Sequence, residues 1–129
     1  MEKTDKKKIL LVEDDPFISE MYAVKFDRAG FLCEVAMTGK EGFSKADSWR
    51  PDIILLDVLI PEMDGFEVLT ALKKDEVLSS VPVIMLTNLG QKEDIERGMA
   101  LGAAAYVVKA HFTPQEVVDK VKQILGGNG

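Results

Sequence analysis

The sequence predicts an α/β protein, a three-layer sandwich whose parallel five-stranded sheet is doubly wound by helices on both faces. Short apolar runs alternate five times with longer amphipathic stretches, which is the pattern of consecutive βα units. The apolar runs lack polar alternation, as expected for strands buried on both faces. The length of 129 residues fits one domain, and 47% hydrophobic and 29% charged residues are an ordinary globular composition.

The strands and helices follow one another along the chain with short connections. We place the strands at residues 8–12, 32–36, 53–56, 83–86 and 105–108. We place the helices at residues 16–29, 39–49, 65–74, 91–101 and 113–125. The first helix counts Phe17, Met21, Val24 and Phe26 among its apolar positions. We expect a single domain over residues 1–129, with its core at about 7–125, a flexible tail at 126–129 and no separate effector domain.

Capping residues justify the helix ends. We interpret Asp15 as the N-cap of the first helix rather than as a metal ligand, and Gly30 stands where a C-cap glycine belongs. Asp64 and Gly65 mark a turn and the start of the third helix. The last helix has a capping-box start, formed by Thr113, Pro114 and Glu116.

Composition excludes several classes of partner. The chain has 16 basic and 22 acidic residues, and its net charge of −6 disfavours contact with nucleic-acid phosphates and anionic lipids. No apolar run approaches the roughly 20 residues that a membrane span needs. The single cysteine, Cys33, lies in the second strand and predicts a reduced thiol. We therefore expect a cytoplasmic protein that binds neither nucleic acid nor membrane.

Polar groups follow four of the five strands, at the edge where doubly wound sheets bind ligands. Glu13, Asp14 and Asp15 follow the first strand, Asp57 the third, Thr87 and Asn88 the fourth, and Lys109 the fifth. If the first and third strands are neighbours, their carboxylates lie close together and suit Mg²⁺. A lysine and a threonine from the other side can hold phosphoryl oxygens, and one carboxylate can be a nucleophile that forms an aspartyl phosphate.

Four segments carry a family resemblance: ILLVEDDP at 9–16, DVLIPEMDG at 57–65, PVIMLT at 82–87 and GAAAYVVK at 102–109. Together they resemble the receiver domain of bacterial two-component response regulators, over roughly residues 7–125. The resemblance implies the flavodoxin-like fold with strand order 2-1-3-4-5. It also implies a stand-alone phosphoprotein that is not an enzyme beyond catalysing its own phosphorylation and dephosphorylation.

The same resemblance assigns roles at the first and third strand ends. Asp57 matches the phosphoacceptor, and Asp14 matches the acid that binds Mg²⁺ directly together with Asp57. Glu13 matches the partner acid that reaches the metal through water. The backbone carbonyl of Leu59 matches the third protein ligand of the metal.

The remaining implied roles concern the phosphoryl group and the output. Thr87 matches the hydroxyl that moves to the phosphoryl group, and Lys109 the ammonium that pairs with it. Tyr106 matches the aromatic switch residue that turns inward when Thr87 moves. The implied partners are a sensor histidine kinase or phosphotransfer protein, and a downstream protein that binds the face of helix 4, strand 5 and helix 5.

Two residues depart from the family pattern, in which a cis proline follows the lysine and a small residue follows the threonine. Ala110 stands in place of the proline, so we expect either a trans bond with a shifted loop or a strained cis bond. Asn88 follows Thr87 and is expected to narrow access to the site.

Three alternative functions remain open. An unphosphorylated pseudo-receiver would act as a protein-interaction module on the same scaffold. An aspartyl-phosphate phosphatase needs a second acid two residues after its nucleophile, where this chain has Leu59. Flavin binding fits the fold, but the chain places acids where a hydroxyl-rich phosphate loop is needed.

Overall fold

The computed structural model describes residues 6–126, so residues 127–129 of the tail predicted at 126–129 lie outside the described residues. The strands are β1 (Lys8–Val12), β2 (Leu32–Ala36), β3 (Ile53–Leu56), β4 (Val83–Thr87) and β5 (Ala105–Val108). The helices are α1 (Pro16–Arg28), α2 (Gly39–Trp49), α3 (Gly65–Lys74), α4 (Lys92–Ala100) and α5 (Pro114–Ile124). Two 3₁₀ turns, at Leu78–Ser80 and Lys109–His111, were not predicted.

The sheet is parallel throughout and has the order β2-β1-β3-β4-β5, which confirms the predicted fold. Strand order reverses between β1 and β3, so the crevice of this doubly wound sheet opens at their carboxyl ends. Val12 pairs with Leu56, Leu56 with Met85, and Thr87 with Val108. The register therefore brings the residues that follow β1, β3, β4 and β5 to one edge.

Side chains alternate across the sheet and fill one core on each face. Leu10 and Val12 belong to the core beneath α2, α3 and α4, whereas Ile9 and Leu11 belong to the core beneath α1 and α5. Burial on both faces is confirmed for β1, β3 and β4. The edge strand β2 is less buried than these three strands, and its first residue, Leu32, is exposed.

The helix ends follow the predicted capping residues to within one or two positions. The Asp15 carboxylate accepts the N–H groups of Phe17 and Ile18, which confirms it as the N-cap of α1. Gly30 has a φ of 97°, in the left-handed region that glycine enters without strain. Asp64 and Thr113 both cap through complete capping boxes.

One face of α1 does not pack as its apolar residues suggest. Phe17 is 85% exposed, and Met21 and Val24 are also exposed, while Tyr22 and Phe26 are buried. The buried residues recur every four positions and contact the core between α1 and α5. The exposed apolar residues form a second face, which lies on the same side of the molecule as the start of α5 because Met21 and Val24 line a groove with Thr113 and Pro114.

Candidate functional site

Three carboxylates meet at the carboxyl edge of β1 and β3. Oxygen atoms of Glu13, Asp14 and Asp57 lie within 4.8 Å of one another. The Asp57 N–H donates to the Val12 carbonyl at 3.1 Å, which continues the β1–β3 ladder past the end of both strands. Glu13 and Asp57 are buried, at 2% and 7% exposure, and Asp14 is exposed. The predicted cluster is therefore present, with one carboxylate open to solvent.

Lys109 extends into this cluster from the end of β5. Its Nζ donates to Asp57 Oδ2 at 2.9 Å and also to Glu13 Oε1. Burial by itself lowers the pKa of Lys109, but the hydrogen bonds that its ammonium donates to Glu13 and Asp57, together with their negative charges, outweigh burial and raise the pKa above its usual value. The ammonium is therefore charged at neutral pH and bridges the two buried carboxylates.

Glu13 is the more deeply buried of those two acids. Burial raises the pKa of its carboxyl, against the lowering effects of Lys109 and of the Asp15 N–H, which donates to Glu13 Oε2 at 3.0 Å. Both oxygens of Glu13 thus have a hydrogen-bond donor. The family resemblance pairs Lys109 with a phosphoryl group, and no sequence signal indicates its contact with Glu13.

The cluster retains negative charge and accessible oxygen ligands. The cluster contains three carboxylates and one ammonium. Within the described residues, the Asp14 side chain has neither a hydrogen bond nor an ion pair. Asp57 Oδ1 accepts the Leu59 N–H at 3.2 Å, which fixes the carboxylate and starts the β3–α3 loop. Carboxylate oxygens with uncompensated charge are the ligands that Mg²⁺ prefers, so the residues present fit this ion.

Thr87 is the last residue of β4 and is fully buried. Its hydroxyl oxygen accepts the Leu89 N–H at 3.3 Å, and no hydrogen bond joins it to Asp57 or Lys109. The structure therefore places Thr87 at the correct edge of the sheet without joining its side chain to the acidic cluster.

Tyr106 lies in β5, half-buried beside α4. Its hydroxyl donates to the Leu89 carbonyl, and a Cβ added to Gly98 would approach the ring to 2.8 Å. Burial, together with the negative charges of Asp94 and Asp57, raises the pKa of Tyr106 to about 12. The ring is thus neutral, packed against α4 and tied to the loop that follows Thr87.

Asn88 and Ala110, the two residues that depart from the family pattern, are hydrogen-bonded to each other. The Ala110 N–H donates to Asn88 Oδ1 at 3.0 Å. Within residues 6–126 no peptide bond is cis, so the bond between Lys109 and Ala110 is trans, whereas the predicted shift of the loop stays a prediction. No sequence signal links Asn88 to Ala110. The pairing of Thr87 with Val108 in neighbouring strands brings the two loops together.

A groove of about 310 Å³ opens beside Lys109. Its lining combines the two loops with apolar side chains of α1 and of the approach to α5: Ile18, Met21, Tyr22, Phe112 and Pro114. The groove therefore connects the charged cluster to the exposed apolar face of α1.

Comparisons with known proteins give a consistent result. The model of the response regulator receiver domain matches residues 9–122. The transcriptional regulator RpaA of Synechocystis is 37% identical over 92% of this chain, and the phosphate regulon regulator PhoB of Pseudomonas aeruginosa is 37% identical over 95%. This chain spans about half the length of these curated relatives, 48% and 53% respectively.

Solved structures agree with the sequence relatives. The chemotaxis protein CheY4 of Vibrio cholerae aligns with a TM-score of 0.86 and 32% identity, covering 92% of this chain and 98% of that one. A response regulator receiver domain from Francisella aligns with a TM-score of 0.88 and 28% identity, covering 96% and 100%. In the described part of this chain, no helix has the length and apolar character needed to cross a bilayer.

Proposed function

Since this chain belongs to the response regulator receiver domain family, a family of signalling domains, we propose that it is a phosphoryl-accepting switch of two-component signalling. Asp57 takes the phosphoryl group from a sensor histidine kinase or a phosphotransfer protein. The observation that carries the proposal is the contact of the buried Asp57 carboxylate with Lys109 at 2.9 Å, beside Glu13 and Asp14. Beyond this, the domain catalyses only its own phosphorylation and dephosphorylation.

The transfer itself needs a carboxylate nucleophile and a cation for the phosphoryl oxygens. An oxygen of Asp57 attacks the phosphorus of a phosphohistidine, the new O–P bond forms as the N–P bond breaks, and the imidazole leaves with the bonding electrons. Lys109 stabilises the charge on the transferred group, because its ammonium already contacts Asp57 Oδ2. The Leu59 N–H holds Asp57 Oδ1 in place.

The acidic cluster supplies the ligands for Mg²⁺: Asp14 and Asp57 directly, the Leu59 carbonyl as the third protein ligand, and Glu13 through water. When bound, the ion neutralises the oxygens of the phosphoryl group. Asp14 supports this assignment because its exposed carboxylate has no hydrogen bond or ion pair with a described residue. Glu13 takes the indirect role that the family resemblance implies.

Phosphorylation replaces the single negative charge of the Asp57 carboxylate with a phosphoryl group that carries about −1.5 to −2 charges and three acceptor oxygens. Thr87 responds by giving up the Leu89 N–H and turning its hydroxyl to the phosphoryl group. Leu89 is also the acceptor for Tyr106, so this movement releases Tyr106 from its present hydrogen bond. The consequence is a changed surface of α4, β5 and α5, to which the downstream protein binds.

The phosphodonor protein docks beside the acidic cluster. The exposed apolar face of α1, which includes Phe17 and Met21, continues into the groove next to Lys109. An apolar helix surface of the donor buries these side chains and brings its phosphohistidine to Asp57. The receiver domain has its core at about residues 7–125. Relatives named as DNA-binding or transcriptional regulators are twice as long, so the absence of nucleic-acid binding stays a prediction for this chain.

Incubation with acetyl phosphate and Mg²⁺, followed by intact mass spectrometry, tests the function. One phosphoryl adduct is expected on the wild-type chain and none on Asp57→Asn, which keeps the side-chain shape but lacks the nucleophilic carboxylate. A wild-type protein that stays unlabelled, where a reference receiver labels fully, would instead identify a pseudo-receiver that acts only as an interaction module.

A further inference from the structure

The loop after β4 connects three residues at the edge of the site. The Leu89 N–H donates to Thr87 Oγ1, and the Tyr106 hydroxyl donates to the Leu89 carbonyl. The Ala110 N–H donates to Asn88 Oδ1. Two consecutive residues, Asn88 and Leu89, therefore contact the end of β4, the middle of β5 and the turn that follows β5.

The third of these hydrogen bonds acts on the backbone that carries Lys109. Residues Lys109–His111 form a 3₁₀ turn directly after β5, and the first N–H groups of such a turn have no acceptor within it. Asn88 supplies the acceptor for Ala110, the residue next to Lys109. Thr87 and Val108 are the last paired residues of β4 and β5, and beyond them the Asn88 side chain joins the loop after β4 to the turn after β5.

We propose that Asn88 is a positioning residue for the phosphoryl transfer described above, on which this inference rests. Its Oδ1 ties the loop that begins after Thr87 to the turn that begins at Lys109. Both of these residues have to reach the same phosphoryl group, so a fixed distance between their backbones preorganises the site. Asn88 itself does not touch the reacting atoms. A proline at position 110 would have no N–H to offer, so the tie depends on Asn88 and Ala110 together.

Two features of Asn88, its volume and its acceptor oxygen, predict different outcomes. If the side chain only narrows access to Asp57, Asn88→Ala opens the site and Asn88→Leu, of similar size, leaves it unchanged. If Oδ1 positions the turn, both variants lose the hydrogen bond to the Ala110 N–H and slow the phosphorylation of Asp57 equally. Asn88→Asp keeps an acceptor oxygen and serves as the conservative variant. Gln115→Ala removes another exposed amide, which binds Asp119 on α5, and serves as the control.

Two measurements are made on these proteins. Amide hydrogen exchange by NMR reports the Ala110 N–H without any phosphorylation, and a mass time course with acetyl phosphate and Mg²⁺ reports the transfer rate. In Asn88→Ala and Asn88→Leu we expect Ala110 to exchange about three- to tenfold faster, and phosphorylation to slow by a similar factor, as for loss of one hydrogen bond. Asn88→Asp retains the slow exchange. The melting temperatures fall no further than in Gln115→Ala.

Three results would overturn the inference. Equal exchange of Ala110 in the wild type and Asn88→Ala would show that the hydrogen bond is absent in solution. Faster exchange with an unchanged phosphorylation rate would reduce Asn88 to a structural contact. Faster phosphorylation in Asn88→Ala alone would make side-chain volume the deciding property. In all three cases the wild type is still labelled at Asp57, whereas an unlabelled wild type contradicts the proposed function and the positioning role with it.

Discussion

Within the described residues, the ammonium of Lys109 is the only cation bonded to two buried carboxylates. Its removal should lower the free energy of unfolding by an amount that follows from the burial of these groups. The side chains of Lys109, Glu13 and Asp57 are 10%, 3% and 9% exposed. Breaking a buried ion pair by removing one partner typically costs about 3–5 kcal/mol, because the other charge stays buried. Asp14 keeps one side of this cluster open to water. We therefore expect Lys109→Met to lose about 3 kcal/mol of unfolding free energy at pH 7.

The dependence on pH has a definite sign. Burial already raises the pKa of Glu13, and removal of the ammonium raises it further, so the folded variant binds a proton more readily than the unfolded chain does. Protonation of such a group stabilises the folded variant as the pH falls, and this stabilisation is lost as the pH rises through the folded-state pKa. The deficit of Lys109→Met should therefore shrink between pH 7 and pH 5.

Urea unfolding, followed by circular dichroism in the presence of EDTA, measures this deficit. Lys122→Met is the control, because Lys122 is exposed on α5 and has no ion pair with a described residue. Adding Asp57→Asn to Lys109→Met should recover at least half of the loss, since it removes one of the two unpaired charges. A loss below about 1 kcal/mol, the range of surface ion pairs, would refute the reasoning. So would full additivity of the two substitutions.

Three further predictions concern the metal, the loop after β3 and the cysteine. Millimolar Mg²⁺ at ten times its Kd should stabilise the wild type by about 1.4 kcal/mol in thermal unfolding, whereas Asp14→Asn should lose this response without losing metal-free stability. An equal response in both proteins would exclude Asp14 as a ligand. Gly65→Ala should cost about 2 kcal/mol or more in urea unfolding, because its Cβ would lie 2.3 Å from the Asp57 carbonyl oxygen, and a neutral result would contradict that close approach. Burial raises the pKa of Cys33 to about 12, so iodoacetamide at pH 8 should modify it more than about a hundredfold slower than a small thiol, and rapid labelling would show an accessible thiolate.

The sheet and its acidic edge were predictable because their signals are local. An apolar run followed by an acid identifies a strand end, and two such ends in neighbouring parallel strands bring Asp14 and Asp57 together. Capping residues such as Asp15 and Thr113 act within one turn, so the helix starts are also readable from the sequence.

Contacts between distant segments were not predictable in this way. The hydrogen bond of Lys109 to Glu13 joins residues 96 positions apart, and that of Ala110 to Asn88 joins residues 22 apart. Each depends on side-chain geometry that strand order alone does not fix. The exposed position of Phe17 was equally hidden, because an apolar residue at an interface and one in a core look alike in a sequence.

The measurement that tests the central claim most directly is the location of the phosphoryl group. Borohydride reduces an acyl phosphate to the corresponding alcohol, so protein treated with acetyl phosphate and Mg²⁺ should contain homoserine in place of Asp57. Peptide mass spectrometry should find this conversion at Asp57 alone and only after phosphorylation. Conversion at Glu13 or Asp14 instead, or no conversion at any carboxylate of a folded protein, would contradict the assignment of Asp57 as the phosphoacceptor.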